Sequence, residues 1–258
     1  MRQTKLVLAL LGLLSLGLTG CQQLQARDNL NKGVRAFREA NYPSAVDFFK
    51  LAIELDPGLV NAELYLATAY SQQFIPGALS EENRRYADMA IETFENVLTR
   101  DGMNVGAIAG LASIYQNTNE LDKARDYYLQ QAQITPDSPV AHYSVGSLNW
   151  MIVFDKTVER PVEELSNLIE EGQQYLDTAL ALDENYEDAM SYKNLLYRQA
   201  AELIVADPEA EDQDAAEAEA EEKRVAILAI ADEWFNKALE ARQRNAEEAA
   251  EQLSGEGT

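Results

Sequence analysis

An all-α fold made of stacked helix pairs is what this sequence predicts, and three observations predict it. Helix-ending signals recur at the spacing of one helix pair: Asp56-Pro57 closes a unit, Asp101-Gly102 marks the next boundary and Thr135-Pro136 closes another. Gly102 and Pro136 stand 34 residues apart, one full period of a two-helix repeat. Between these breaks, small and aromatic residues recur at helical spacing, as closely crossing helices require. Finally, Ile227, Ala231, Trp234, Ala238 and Ala241 form one stripe, the feature a terminal helix needs to cover the last apolar face of a stack.

The first unit runs from about Asn29 to Pro57. Gly33, Ala36, Tyr42, Ala45, Phe49 and Ala52 place small residues where two helices cross, with aromatics beside them. Pro43 falls in the first turn of the second helix, where its missing N–H costs nothing. Pro57 stops that helix, because a proline disfavours helical geometry in the residue before it. In the third unit, Leu111, Ala112, Tyr115, Leu121, Ala124, Tyr128 and Pro136 keep the offsets of the first. Asn119 is positioned to cap the second helix of that pair, and Ser138-Pro139 reads as an N-cap followed by proline at the first helical position.

These residues resemble the tetratricopeptide repeat, whose pattern has Leu-Gly/Ala and Tyr in helix A, Ala and Tyr/Phe in helix B, and a closing Pro. The resemblance implies an α-solenoid of about five helix pairs with a capping helix at its C-terminal end. Three units are degraded. Unit two has Leu66, Ala67 and Tyr70, then Ala90, Phe94 and Val97; unit four has Val145 and Gly146, then Leu176 and Ala179. Unit five has Ala189, Leu196 and Tyr197, then Ala231, Phe235 and Ala238. Units two and four carry extra residues between their helices, one insertion bearing Phe74 and Ile75, the other Ile152 and Phe154. Those insertions either lengthen helices as local core or form one apolar docking lobe.

Composition narrows the partners. The chain has 258 residues and a formal net charge of −23, with 44 acidic residues against 21 basic ones. A nucleic-acid ligand demands a basic face, so none is expected. The N-terminus is the exception: Arg2 and Lys5 precede the apolar run Leu6 to Leu18. Those 13 residues would span only about 20 Å as a helix, short of a hydrocarbon core of about 30 Å. The segment therefore reads as a secretory signal. It ends in Leu18-Thr19-Gly20-Cys21, and Cys21 is the one cysteine of the chain. This resembles a bacterial lipoprotein signal, which implies that Cys21 is acylated and the peptide is cut before it. In that resemblance the next residue, Gln22 rather than Asp, implies the periplasmic face of the outer membrane.

The domain reading is a signal peptide over 1–20, a tether over 21–27 and the repeat solenoid over 28–206. An acidic insertion over 207–222, with nine acidic residues and no basic one, precedes a C-terminal helix over 223–251 and a flexible tail over 252–258. Catalytic parts are scarce: His142 is the one histidine and stands at a packing position, and no phosphate loop or metal-binding motif occurs. No enzyme, cofactor or metal is expected. By resemblance, helix A faces line a groove, here Phe37, Arg38, Asn61, Gln72, Gln116, Asn117, Tyr143 and Trp150. Amides and aromatics suit an extended peptide. The expected function is a membrane-anchored adaptor in the cell envelope. The alternatives are a periplasmic protein that binds solutes or cell-wall fragments and, further off, an envelope hydrolase.

Overall fold

The computed structural model describes residues 21–255, so the signal segment over 1–20 and the last three residues of the tail lie outside the described residues. All regular structure within them is helical. The helices are α1 over residues 21–38, α2 (Tyr42–Leu55), α3 (Val60–Ser71), α4 (Glu81–Arg100) and α5 (Val105–Asn117). They are followed by α6 (Leu121–Ile134), α7 (Pro139–Phe154), α8 (Val162–Leu182), α9 (Glu187–Glu202) and α10 (Gln213–Gly255). Their number and order fit the stacked helix pairs that the sequence predicts, and α3 packs on α4, α7 on α8 and α9 on α10. Two compact units divide between Glu120 and Leu121.

In the first unit, α1 is closed by the turn at Ala40, which takes a left-handed φ of 56° while Asn41 N–H reaches back to the Ala36 carbonyl at 2.9 Å. The Asn41 side chain then accepts from Ser44 N–H and starts α2, with Pro43 in the first turn. Ala45, Val46, Phe49 and Ala52 are buried on one face of α2, and the Phe49 ring fills the space where a side chain on Gly33 of α1 would stand. Tyr65 of α3 stacks on Phe49 with centroids 5.6 Å apart. One pair later the device repeats: Phe94 of α4 lies where a Cβ on Gly110 of α5 would be. The stops fall where predicted, α2 at Leu55 and α4 at Arg100. Asn119 does not cap α6 as expected. It ends α5 instead, at φ 64°, with its N–H on Gln116 and that of Glu120 on Tyr115.

The second unit holds α6 to α10. Ser138 caps α7 through its hydroxyl, and Pro139 occupies the first turn, as predicted. Gly146 of α7 admits Leu176 of α8, and Gly172 of α8 admits Leu196 of α9, whose Cδ1 would be 2.8 Å from an added Cβ. The terminal stripe is real: Ala231, Ala238 and Ala241 are buried, Trp234 packs beside them, and Met190 of α9 meets them.

Four further expectations need correction. Phe235, assigned to the core of the fifth pair, is 48% exposed, because Trp234 takes the inward position one residue earlier. The docking-lobe alternative fails for Ile152, which is 1% exposed and takes the other reading, local core: α7 has 16 residues against 12 in α3 and 13 in α5, about one turn more, and its end packs inward. The acidic segment is no separate insertion before the last helix: α10 starts at Gln213 and takes in Asp214 to Glu222. Residues 21–27, read as a tether, lie within α1.

The extra residues of pairs two and four mostly lengthen helix B. α4 has 20 residues and α8 has 21, against 14 in α2 and α6. Gly110→Ala should force the Phe94 ring out of its seat and cost about 1–3 kcal/mol of stability. Gly102→Ala, whose nearest neighbour would be a carbonyl at 3.7 Å, should leave the denaturation midpoint unchanged.

Candidate partner-binding groove

The predicted groove residues of the first unit share the helix A positions but not one role. Phe37 is half-buried, its ring set edge-on to Tyr42 at 5.3 Å, so part of it joins α1 to α2. Arg38, Asn61 and Gln72 are exposed, and Gln116 is half-buried. Asn117, the last residue of α5, lines a cleft of about 630 Å³ with Phe74, Leu79, Arg84 and Asn119. The structure thus brings Asn117 together with Phe74, which the sequence placed in the docking lobe.

The wall of that cleft is a fixed loop. Asn83, 5% exposed, accepts from Ile75 N–H at 2.7 Å and donates to the Ile75 and Ala78 carbonyls at 2.8 and 3.0 Å. One side chain therefore satisfies three backbone groups of 75–78, and Ile75 and Leu79 project outward, 64% and 92% exposed.

In the second unit the site is continuous. Tyr143 and Trp150 lie two turns apart on α7 and Phe154 one turn further, so all three share a face. Trp150 stacks on Phe154 with centroids 5.0 Å apart and 19° between planes. Tyr192 of α9 stands edge-on to both Trp150, at 5.4 Å, and Tyr143, at 5.6 Å. Tyr186, just before α9, tilts against Tyr143 at 5.1 Å. Four rings on two adjacent A helices, with Tyr186 at the N-cap of the second, form one ridge, with Phe154 55% exposed at its end. Tyr186 and Tyr192 were not nominated, because the fifth repeat is too degraded to fix which of its residues face inward.

Behind the ridge, a polar network sets the register of α7. Asn149, fully buried, donates to the Leu168 carbonyl at 3.0 Å and to Glu171 at 2.8 Å, and accepts from Arg125 Nε at 3.1 Å. Arg125 closes the triangle by pairing with Glu171. A buried amide so fully bonded tolerates no slip of the helix that carries it. His142 is buried as expected, its Nε2 2.7 Å from the Pro136 carbonyl and its ring stacked on Tyr175.

Phenols crowd this unit. Burial, then Tyr192 and Asp188, push the Tyr143 hydroxyl well above the ordinary tyrosine range. Burial pushes Tyr128 up to about 12. Burial first, then neighbouring carboxylates, also raise Tyr186 and Tyr197. Among the described residues no group of three His, Cys, Asp or Glu is placed to hold a metal. No described helix is long and apolar enough to cross a membrane.

The sequence profile of the family described as tetratricopeptide repeat matches residues 105–138, the third predicted unit. A search of curated sequences returned no match. Among solved structures, the crystal structure of MamA protein is similar at a TM-score of 0.59 and 14% identity, covering 86% of this chain and 94% of that one. MamA residues 41 to the end from Desulfovibrio magneticus RS-1 match at 0.59 and 13% identity, covering 85% and 96%. MamA AMB-1 matches at 0.55 and 17% identity, covering 85% and 93%. At these identities the likeness is one of fold: the chain has a tetratricopeptide-like α-solenoid fold.

The raised phenols fix the sign of a pH effect. A folded state that holds a phenolic proton more tightly than the unfolded chain is fully stabilised below the unfolded value of 10.0 and loses that stabilisation as pH rises toward about 12. The melting temperature should therefore fall steeply over that window, and Tyr128→Phe should flatten the fall.

Proposed function

We propose that this protein is a lipid-anchored adaptor of the bacterial cell envelope that holds an extended segment of a partner protein along its helix A faces. One observation carries the reading: the ridge of Tyr186, Tyr143, Tyr192, Trp150 and Phe154 on α7 and α9. Rings presented by rigid helices offer apolar area at low entropic cost, and the tyrosine hydroxyls can bond a peptide backbone. The matched repeat and the solenoid fold support protein binding as the activity.

The anchor rests on the Leu18-Thr19-Gly20-Cys21 sequence, with Cys21 exposed at the start of the described chain. Several acyl chains on Cys21 would hold the protein at a bilayer far more firmly than one. Without the leader the folded body carries −25, which keeps it off anionic lipid headgroups and leaves the acyl chains as its attachment. Gln22 favours the periplasmic face of the outer membrane.

A second reading, capture of cell-wall glycan, is favoured by the Trp150–Phe154 stack, since sugars bind on flat aromatic platforms. A photocrosslinking residue at Phe154 should capture a discrete protein that the same residue at Val205, 76% exposed, does not. Tyr143→Ala with Trp150→Ala should weaken that capture about a hundredfold, the loss of roughly 3 kcal/mol expected when two anchors are removed. Equal capture at both positions would overturn the adaptor reading, and a Trp150 fluorescence change with glycan fragments alone would favour the second. Radiolabelled palmitate should enter the protein in cells and be lost in Cys21→Ser, with the variant leaving the membrane fraction.

A further inference from the structure

α10 bears a second apolar stripe beside the one that docks on α9. Val225, Leu228, Asp232, Phe235, Leu239, Arg242 and Ala246 alternate in steps of three and four, the spacing of a coiled-coil seam. This seam lies about a third of a turn around the helix from Ala231, Trp234 and Ala238. Three of its large apolar members stay open, Val225 at 56%, Phe235 at 48% and Leu239 at 42% exposed, while Leu228 is half-buried. A capping helix normally turns a polar outer face to water, so a heptad seam on this one calls for a partner.

The order of the seam identifies that partner. Its two charged members have opposite sign and stand equally far from Lys237, Asp232 five residues before it and Arg242 five after. Set antiparallel to itself about Lys237, the seam places Asp232 against Arg242 of the second copy, Phe235 against its Leu239 and Leu228 against its Ala246. Each layer then joins the two alternating seam positions, as antiparallel coiled coils do. A parallel arrangement would instead stack Asp232 on Asp232 and Arg242 on Arg242. It would also lay the acidic starts of the two helices, Asp214 to Glu222, side by side. Antiparallel, those starts lie about 60 Å apart, far beyond the screening length of about 8 Å.

Both charges are available. Asp232 and Arg242 side chains are 64% and 63% exposed, and each already holds an opposite charge on α9: Arg198 at 2.6 Å from Asp232, and Glu187 at 3.2 Å from Arg242. Pairing two copies extends these into alternating rows of four charges, Arg198–Asp232 of one copy continuing into Arg242–Glu187 of the other. We infer that α10 pairs with α10 of a second copy, antiparallel about a two-fold axis at Lys237, and that the protein is an isologous homodimer.

The test uses the chain from residue 21 onward, which contains every described helix, with Cys21→Ser. It should sediment as a dimer at about 50 µM, a concentration that populates a micromolar complex. Phe235→Glu with Leu239→Glu should convert it to a monomer of unchanged helicity. Asp232→Arg alone should weaken the dimer at least tenfold, and adding Arg242→Asp should restore it. Asn236→Cys lies at the axis and should form a disulfide between copies on mild oxidation. A monomer at that concentration, or a dimer indifferent to Phe235→Glu and Leu239→Glu, would overturn the proposal. So would a monomer that uses Phe235 to hold a different protein.

Discussion

The structure depends on how closely its helices approach one another. At four helix crossings a glycine faces a large residue: Gly33 faces Phe49, Gly110 faces Phe94, Gly146 faces Leu176 and Gly172 faces Leu196. The large residue fills the notch, and its burial draws the two backbones together. These pairs recur within helix pairs and between them, so the same contact that builds one repeat also joins it to the next. Glycine inside a helix costs about 1 kcal/mol relative to alanine. The burial of Phe49 and Phe94, at 0% and 2% exposure, more than offsets that cost.

The helix pairs were legible because their signals are local. Asn41, Ser80, Asn104 and Ser138 accept from backbone N–H groups at helix starts, and Asp56, Asp101 and Asp183 stand at helix ends. A reader of the sequence needs no tertiary information to see these. Two of the failures were choices one residue wide. Trp234 and Phe235 are both aromatic, and only the packing of α10 on α9 decides which turns inward. Asn119 stands between two helices, and its side chain suits either the end of one or the start of the next. The left-handed φ of 64° decides for the end.

The site was half legible. Tyr143 and Trp150 followed from the register of the fourth repeat, which Ser138-Pro139 anchors. Tyr192 did not, because its role comes from α9 lying beside α7 and no short-range pattern encodes that neighbour. Phe154 was visible but was assigned to an insertion, since a standard repeat helix ends before it. The longer α7 turns it into the end of the ridge. In the first unit the sequence kept apart two residues, Asn117 and Phe74, that the Asn83-braced loop puts on one cleft.

One buried charge governs how the C-terminal helices align. Lys193 is 2% exposed, its ammonium 2.7 Å from Asp177 of α8 and 4.7 Å above the Trp234 ring of α10. Tyr197 on its own helix supplies a second ring at 5.7 Å. Sliding α10 or α8 by a single turn would leave that ammonium in an apolar gap with no counter-charge. Alanine-rich helices such as α10 offer many nearly equivalent ways to nest, and methyl groups alone discriminate poorly among them. Lys193 removes the degeneracy: it acts as a key that admits one alignment of three helices and penalises the rest.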